Sequence, residues 1–321
     1  MAEHVLPRYP IYIPSKGRHD VCHTGRFLVK DGVPFRLVVE PQESTLYATQ
    51  FGAERLLVLP FNNQGLIAAR NWIKEHAISE GYARHWQLDD NIRLIHRRWH
   101  GKRIPCNAGP ALRAVEDFVD RYENVALAGL DYTMFVADGE RYPPFFLNAH
   151  VYSCTLVLNS IPHRWRLRYN DDTDLCPQVL ADGWCTVLVN AFLADKERTM
   201  TVKGGNTADL YQGDGRLRMA RALERVWPGV VSVDRRFKRP QHVIKGSWKR
   251  FDTPLRLRTD IVQEEHPLPD EYAMRLVQVG DEVRGEKLRP LWEQEQARAS
   301  ANVRKLDGQL GERDGDGDAD T

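Results

Sequence analysis

Long apolar runs are missing from this chain. The longest, such as Thr155–Leu158 and Thr186–Val189, are strand-sized, so no segment reads as a membrane span. Cysteine is sparse and scattered. Cys22, Cys106, Cys154, Cys176 and Cys185 are odd in number and contain no Cys-x-x-Cys pair, which speaks against a zinc ribbon or disulfide framework and for a reducing cytosol. Met1-Ala2-Glu3-His4 has no basic stretch leading into an apolar one, so no signal peptide is expected. Gly-x-x-x-x-Gly-Lys-Ser/Thr is absent, and no Gly-x-Gly-x-x-Gly follows the first strand. That excludes the P-loop and the dinucleotide fingerprint. Internal repeats are also lacking.

What remains is an ordinary soluble composition, 42% hydrophobic and 28% charged over 321 residues, enough for one large or two modest domains. The net charge of +1 hides segregation. Nine Lys/Arg face the single acid Asp252 between Arg235 and Arg258, whereas Arg304–Thr321 holds six acids and three bases. In that tail Asp314, Asp316 and Asp318 alternate with glycine. It lacks the flanking helices and closing Glu of an EF-hand and reads as solvated and disordered.

The first 100 residues alternate strands and helices. Strands are expected at Ile11–Pro14, Phe35–Glu40, Arg55–Leu59 and His85–Leu88. Helices are expected at Glu43–Phe51 and from Leu66 to about Glu80, the latter on the spacing of Ile67, Ala68, Trp72, Ile73 and Ala77. Thr24–Lys30 fits either. This order implies a mostly parallel sheet covered by helices, with ligands outside the carboxyl ends of its strands. Further on, helices are expected at Ala111–Tyr122, Asp172–Ala181 and Gly213–Val226, and strands at Val125–Leu130, Ala149–Leu158 and Cys185–Asn190. The prolines 254, 267 and 269 suggest a linker. From Glu271 to about Leu306 the pattern is helical and charged.

Trp86-Gln87-Leu88-Asp89-Asp90-Asn91 is an apolar-flanked strand ending in two carboxylates and a carboxamide. Such oxygen ligands suit Mn²⁺ or Mg²⁺ carrying a diphosphate. They equally suit a turn or helix cap. In Tyr169-Asn170-Asp171-Asp172-Thr173-Asp174 three acids open a helix. One of them, Asp171 or Asp172, could serve as a general base, although helix starts attract carboxylates anyway. Ser15, Lys16 and Arg18 form a cationic turn suited to nucleotide phosphates. Arg70 and Asn71 could reach ribose or phosphate, with an ordinary surface arginine the alternative for Arg70. Lys203, in Lys203-Gly204-Gly205-Asn206-Thr207, lies in a phosphate-closing loop or a plain turn. His242 is a metal ligand, a phosphate contact or neither.

Three basic clusters carry aromatics. Arg93–Arg103 holds Arg97, Arg98, Arg103 and Trp99; His163–Arg168 holds Arg164, Arg166 and Trp165. The 235–258 strip holds Arg236, Lys238, Arg239 and Trp248. Each is either a solvated face or part of a nucleic-acid surface, where cations track phosphates and rings stack on bases.

In order, Tyr12–Arg18, Val39-Glu40, Asn71, Leu88–Asn91, His150–Cys154, Tyr169–Leu175 and Gly183-Trp184 resemble nucleotide-sugar glycosyltransferases of the GT-A fold. The nearer resemblance is to phage-encoded glycosyltransferases associated with TET/JBP dioxygenases, over about residues 8–250. It implies a single Rossmann-type mixed α/β sheet flanked by helices at 8–253, a helical C-terminal extension at 254–303 and an acidic tail at 304–321. It also implies a UDP-sugar donor and a metal-assisted transfer to 5-hydroxymethylcytosine, or a related hydroxymethylpyrimidine, in phage DNA within the bacterial cytoplasm. Pro14, Ser15, Lys16, Arg18, Glu40, Arg70, Asn71, Asp89 and Lys203 would then surround the donor. Asp90, Asn91 and His242 would hold the metal, with Asp89 turned to the nucleoside. Asn91 stands where the usual Asp-x-Asp motif has Asp. Asp171 or Asp172 would activate the acceptor. A protein, glycan or lipid acceptor, a silent nucleic-acid-binding module and a two-carboxylate glycoside hydrolase are the competing readings.

Overall fold

Strand β1, Ile11–Pro14, is buried at every position, as expected of a strand covered on both faces. The structure is a computed structural model describing residues 5–261, except 100, 140, 141, 169, 198–214, 237, 238 and 247. After β1 come α1 (His23–Lys30), β2 (Arg36–Val39), α2 (Ser44–Phe51), β3 (Leu56–Val58), α3 (Gly65–Ser79) and β4 (Arg84–Leu88). The strands β3-β2-β1-β4 are mutually parallel neighbours. That is the β-α-β-α-β half legible in the sequence.

The second half is mixed. It comprises β5 (Ile92–Trp99), β6 (Lys102–Cys106), α4 (Ala108–Val119), β7 (Val125–Tyr132), β8 (Phe145–Leu147), β9 (Cys154–Leu158), α5 (Asp171–Ala181) and β10 (Cys185–Lys196). The sheet continues β4-β9-β7-β10-β5-β6, with β8 also on β10. Here β9 is antiparallel to both β4 and β7, and β10 is parallel to β7 and antiparallel to β5. Helix α6 (Gly215–Val226) and the hairpin β11 (Val231–Arg236) and β12 (Arg239–Ile244) follow.

Several boundaries move. The strand expected over Ala149–Leu158 begins only at Cys154, because Asn148 and Ser153 take left-handed backbone conformations, φ 55° and 56°, that a strand cannot include. The strand expected to stop at Asn190 runs on to Lys196. The basic segment Arg93–Arg103 is a hairpin at the sheet edge, with Ile92 and Ile95 buried beneath its cations. Residues 254–261 return to the domain, where Leu257 bridges Tyr122 and Asn124 holds Pro254 O and Arg256 N. The helical extension and acidic tail expected further on fall, from residue 262, outside the described residues, as do Lys203 and Lys238.

Two packing features carry the site. Trp86 of β4 is fully buried and its indole donates to Glu116 Oε1 at 2.8 Å, so the ring and its N–H are both satisfied. A ring hiding about 200 Å² contributes roughly 5 kcal/mol at about 25 cal/mol per Å². On α3 the buried face is Ala69, Arg70, Ile73, Lys74 and Ala77, which settles Arg70 as an inward-facing cation. Lys74 donates to Ile161 O and His163 O at 2.6 and 2.9 Å. Asn71 donates to Trp165 O at 2.7 Å and accepts from Trp165 N at 3.1 Å. Helix α3 thereby pins the segment leading to α5.

Strand directions then dictate one edge. The carboxyl ends of β1, β2, β4, β7 and β10 and the amino ends of β5 and β9 all lie there, by the pairings just given. Pairing of β1 with β4 stops at Tyr12 and Gln87, although β1 runs to Pro14 and β4 to Leu88. The strands part at this edge, as strands do around ligand crevices.

Candidate active site

The turn Asp89-Asp90-Asn91 links β4 to β5 and is held by α1. Thr24, fully buried, donates from its hydroxyl to Asp89 O at 2.5 Å and accepts from Ile92 N at 2.9 Å, while its own N–H reaches Asp90 O at 3.2 Å. Asn91 O accepts from Glu197 N at 3.0 Å, which clasps the end of β10 to this turn.

Asp90 faces the loop after β1. Ser15 Oγ donates to its Oδ2 at 2.6 Å and Arg18 Nη1 lies 2.5 Å from its Oδ1. Tyr47 of α2 bonds Ser15 Oγ and accepts from Arg18 N. Burial raises the Asp90 carboxyl above its ordinary range despite Arg18 and Ser15. Glu40, at the end of β2, accepts from Asn63 N at 2.9 Å and pairs with Lys16 at 2.8 Å. Ser15 and Arg18 thus meet Asp90, while Lys16 pairs with Glu40 in the same loop region, which follows Pro14 at the end of β1. Asn71 is not among them, because Trp165 takes both ends of its carboxamide.

Asp89 faces the middle of the edge. Its Oδ1 lies 3.1 Å from Arg70 Nη2, and its Oδ2 lies 2.7 Å from Ser153 Oγ and 2.6 Å from Lys196 Nζ. Burial opposes its charge, but Lys196 and Arg70 outweigh that and hold it well below the usual carboxylate range. Lys196 Nζ also meets Ser153 Oγ at 2.6 Å and Tyr132 OH at 3.4 Å. A register shift between Asp195 and Lys196 on β10 aims the side chain here, a common use of bulges near sites. Asp90 therefore meets the loop after β1, and Asp89 meets the cations in the middle of the edge.

Opposite stands the start of α5. Asp171 Oδ2 and Arg70 Nε are 2.8 Å apart but out of hydrogen-bond alignment, and neither atom has a hydrogen bond. Burial pushes the Asp171 carboxyl up to about 6, with Arg70 pulling the other way. Asp172 is raised by burial too, yet its side chain is 34% exposed against 17% for Asp171. Its Oδ2 lies 3.7 Å from His150 Nε2. His150 stacks on Trp248, 5.7 Å and 13° apart, and meets Tyr152 edge-on. Burial lowers His150 to about 4, so its ring is neutral near pH 7. Asp174, the third acid of the run, is fully buried against Arg166, Trp227 and Gln178 and is structural.

A divalent cation on Asp90, Asn91 and His242 does not fit these residues. All four oxygens of Asp89 and Asp90 already face N–H or O–H donors within 3.1 Å. His242, on β12, is lowered to about 4 by burial and then by His150, with Asp172 opposing, so it belongs to the α5 side. Among the described residues no three His, Cys, Asp or Glu side chains are grouped to hold a metal.

The basic clusters are dispersed. Arg97, Arg98 and Arg103 lie on the β5–β6 hairpin; Arg97 covers Trp99, Arg98 covers Tyr142 and Arg103 pairs with Asp138 at 2.9 Å. Arg164 pairs with Glu75 at 2.6 Å and Arg166 with Asp174 at 2.8 Å, so those two brace the 163–168 segment. Arg236 ends β11 and Arg239 begins β12. Three strands, β9, β7 and β10, separate β4 from β5. The sheet curls between them, because only Asp89, Asp90 and Asn91 join Leu88 of β4 to Ile92 of β5.

A family model described as TET-associated glycosyltransferase matches residues 9–205, most of the sheet and both carboxylate clusters. The chain belongs to this family. It is a glycosyltransferase, and the α/β architecture expected for one is the architecture found. No curated protein sequence matches it. Among solved structures, similarity is found to a putative nucleotide-diphospho-sugar transferase from Desulfovibrio desulfuricans, with 10% identity over 69% of this chain and 99% of that one, TM-score 0.36. A mannose-1-phosphate geranyltransferase from Thermus thermophilus is similar at 16% identity over 69% and 64%, TM-score 0.29. Among the described residues no helix is long and apolar enough to cross a membrane.

Sequence reasoning gave no site role to Thr24, Tyr132 or Lys196, and quoted His150–Cys154 for the resemblance without assigning His150 or Ser153 a role at this candidate site. One signal was available for Lys196. The apolar run from Cys185 ends in Asp195-Lys196-Glu197, a charged strand end like that of β4.

Proposed function

We propose that this glycosyltransferase takes a sugar from a nucleoside diphosphate, UDP, and transfers it to the hydroxymethyl group of 5-hydroxymethylcytosine, or a related hydroxymethylpyrimidine, in phage DNA. Residues 8–253 form the transferase domain in this reading. The observation that carries it is the meeting of Asp89 and Asp90 with Ser15, Arg18, Arg70 and Lys196 on one sheet edge, facing Asp171 and Asp172 across Arg70. Cations on that edge suit a leaving diphosphate.

In the reaction the acceptor hydroxyl oxygen bonds to the anomeric carbon. The bond from that carbon to the diphosphate breaks, the diphosphate leaving with its electron pair. The hydroxyl proton passes to a carboxylate. We assign that proton to Asp172, whose side chain is the more exposed and feels Arg70 only at longer range, whereas Asp171 lies 2.8 Å from the Arg70 guanidinium. The stack of His150 and Trp248 beside Asp172 suits a pyrimidine drawn out of its helix. Arg97 and Arg98 on one hairpin and Arg239 on another supply cations for the flanking phosphates. The association with TET dioxygenases in the family's description supports the hydroxymethylated acceptor.

The test incubates the protein with a panel of nucleotide sugars and DNA containing 5-hydroxymethylcytosine, with and without Mn²⁺, and reads digested nucleosides by mass spectrometry. A hexose or N-acetylhexosamine increment on the modified cytosine is expected. No increment with any donor, alongside tight DNA binding, would replace the reading with a silent nucleic-acid-binding module.

A further inference from the structure

We propose that the Lys196 ammonium, and not a divalent cation, neutralises the leaving diphosphate, so that the enzyme binds and uses its donor without metal. The inference rests on the nucleoside-diphosphate donor proposed above.

A magnesium site needs oxygen ligands close to octahedral at about 2.0–2.1 Å, usually one or two carboxylates completed by phosphate and water. Asp89 and Asp90 are the two acids of the β4–β5 turn, and their oxygens are committed. Arg18 and Ser15 occupy Asp90; Arg70, Ser153 and Lys196 occupy Asp89. A dication on Asp89 Oδ2 would have to displace an ammonium 2.6 Å away whose side chain is only 14% exposed. That ammonium sits in a built cradle of Asp89 Oδ2, Ser153 Oγ and Tyr132 OH. It is delivered by the last residue of β10 through a register shift, and Glu197 beside it is tied to Asn91 O.

The cradle is also incomplete in a useful way. Two of its contacts are 2.6 Å, but the third, to Tyr132 OH, is 3.4 Å. One N–H is therefore weakly engaged and available to a phosphate oxygen. A lysine ammonium is a compact point charge with three rotatable donors, suited to that task. During transfer it stays protonated. The diphosphate gains the electron pair of the broken bond, and Lys196 hydrogen-bonds the new anionic oxygen without giving up a proton. Arg70 shares Asp89 with it and Arg18 holds Asp90, so three cations stand on the two carboxylates that a metal would need.

The test measures calorimetric binding of UDP, and of ADP, GDP, CDP and dTDP, to the full chain in EDTA and then in Mn²⁺. Wild-type protein is expected to bind at least one of these equally well in both. Lys196→Met should weaken that binding in EDTA by about 10- to 100-fold, the worth of a charge-assisted hydrogen bond. Lys196→Arg should restore most of it, and Mn²⁺ should partly rescue Lys196→Met by occupying the vacated carboxylate. A melting curve for each variant separates lost binding from lost folding. Wild-type binding that appears only with Mn²⁺ or Mg²⁺ overturns the proposal while leaving the donor reading intact, and needs no variant. Unchanged binding by a folded Lys196→Met in EDTA overturns it as well. If no nucleoside diphosphate binds under either condition, the donor reading fails and takes this proposal with it.

Discussion

Replacing Asp131 with Asn should stabilise the protein at neutral pH and leave it unchanged in acid. Asp131 closes β7 and is 4% exposed. It accepts from Tyr152 OH and from Tyr132 N. Burial lifts its carboxyl from 3.8 to about 6, and the two donors only partly offset this. Between those values the folded state holds a proton that the unfolded chain has released. Unfolding free energy therefore falls as pH rises through the window, and stays lower above pH 6. A shift of about two units corresponds to roughly 3 kcal/mol. Asparagine keeps an oxygen for both donors, and their preference for the charged form is already contained in the net shift, so the expected gain at pH 8 is roughly 3 kcal/mol. Urea unfolding of both proteins from pH 4 to pH 8 measures it, and taking the difference cancels groups common to both, such as Asp171. A variant less stable at pH 8, or a difference that does not change with pH, would refute the reasoning.

Four further outcomes are expected. Asp172→Asn should lower kcat by about 10²- to 10⁴-fold, the usual worth of a general base, with calorimetric nucleoside-diphosphate affinity unchanged. Trp248→Ala removes the face on which His150 stacks and should raise the acceptor KM, with the donor KM constant in steady-state assays. Asn71→Ala strips Trp165 of both backbone partners and should cost about 1–3 kcal/mol in urea unfolding. Gly129→Ala would place a Cβ 2.3 Å from Cys154 O and 2.6 Å from a Val151 methyl, so β7 and β9 must separate. A loss of at least about 1–3 kcal/mol is expected from the same measurement.

The parallel half of the sheet was legible because β1, β4 and most of β2 are buried on both faces and their short apolar segments stand out between polar turns. Ile11–Pro14 and His85–Leu88 needed no partner to be recognised. The mixed half was not, for identifiable reasons. An edge hairpin such as β5–β6 shows its arginines in sequence and buries only Ile92 and Ile95, so it reads as a basic patch. In β10 the buried Asn190 looks like a strand end but lies in mid-strand, its side chain bonded to Pro143 O. The site divides in the same way. Asp89, Asp90, Asp171 and Asp172 announce themselves as local carboxylate clusters. Lys196 meets Asp89 across 107 positions, and Ser153 and Thr24 meet its residue across 64 and 65. Such contacts follow from the antiparallel insertion of β9 and the bulge of β10, neither of which has a local signature. In two of the three basic segments, ion pairs with Asp138, Glu75 and Asp174 engage Arg103, Arg164 and Arg166, long-range partners that the sequence does not show.

Arg70 touches Asp89 on one side and Asp171 on the other, and this shared guanidinium links the two halves of the site thermodynamically. A negatively charged donor that draws Arg70 toward itself loosens its hold on Asp171, and the proton affinity of that carboxylate rises. By reciprocity, protonating Asp171 frees Arg70 and tightens the donor. Binding order and acidity are then two readings of one coupling, carried by a single side chain on the buried face of α3.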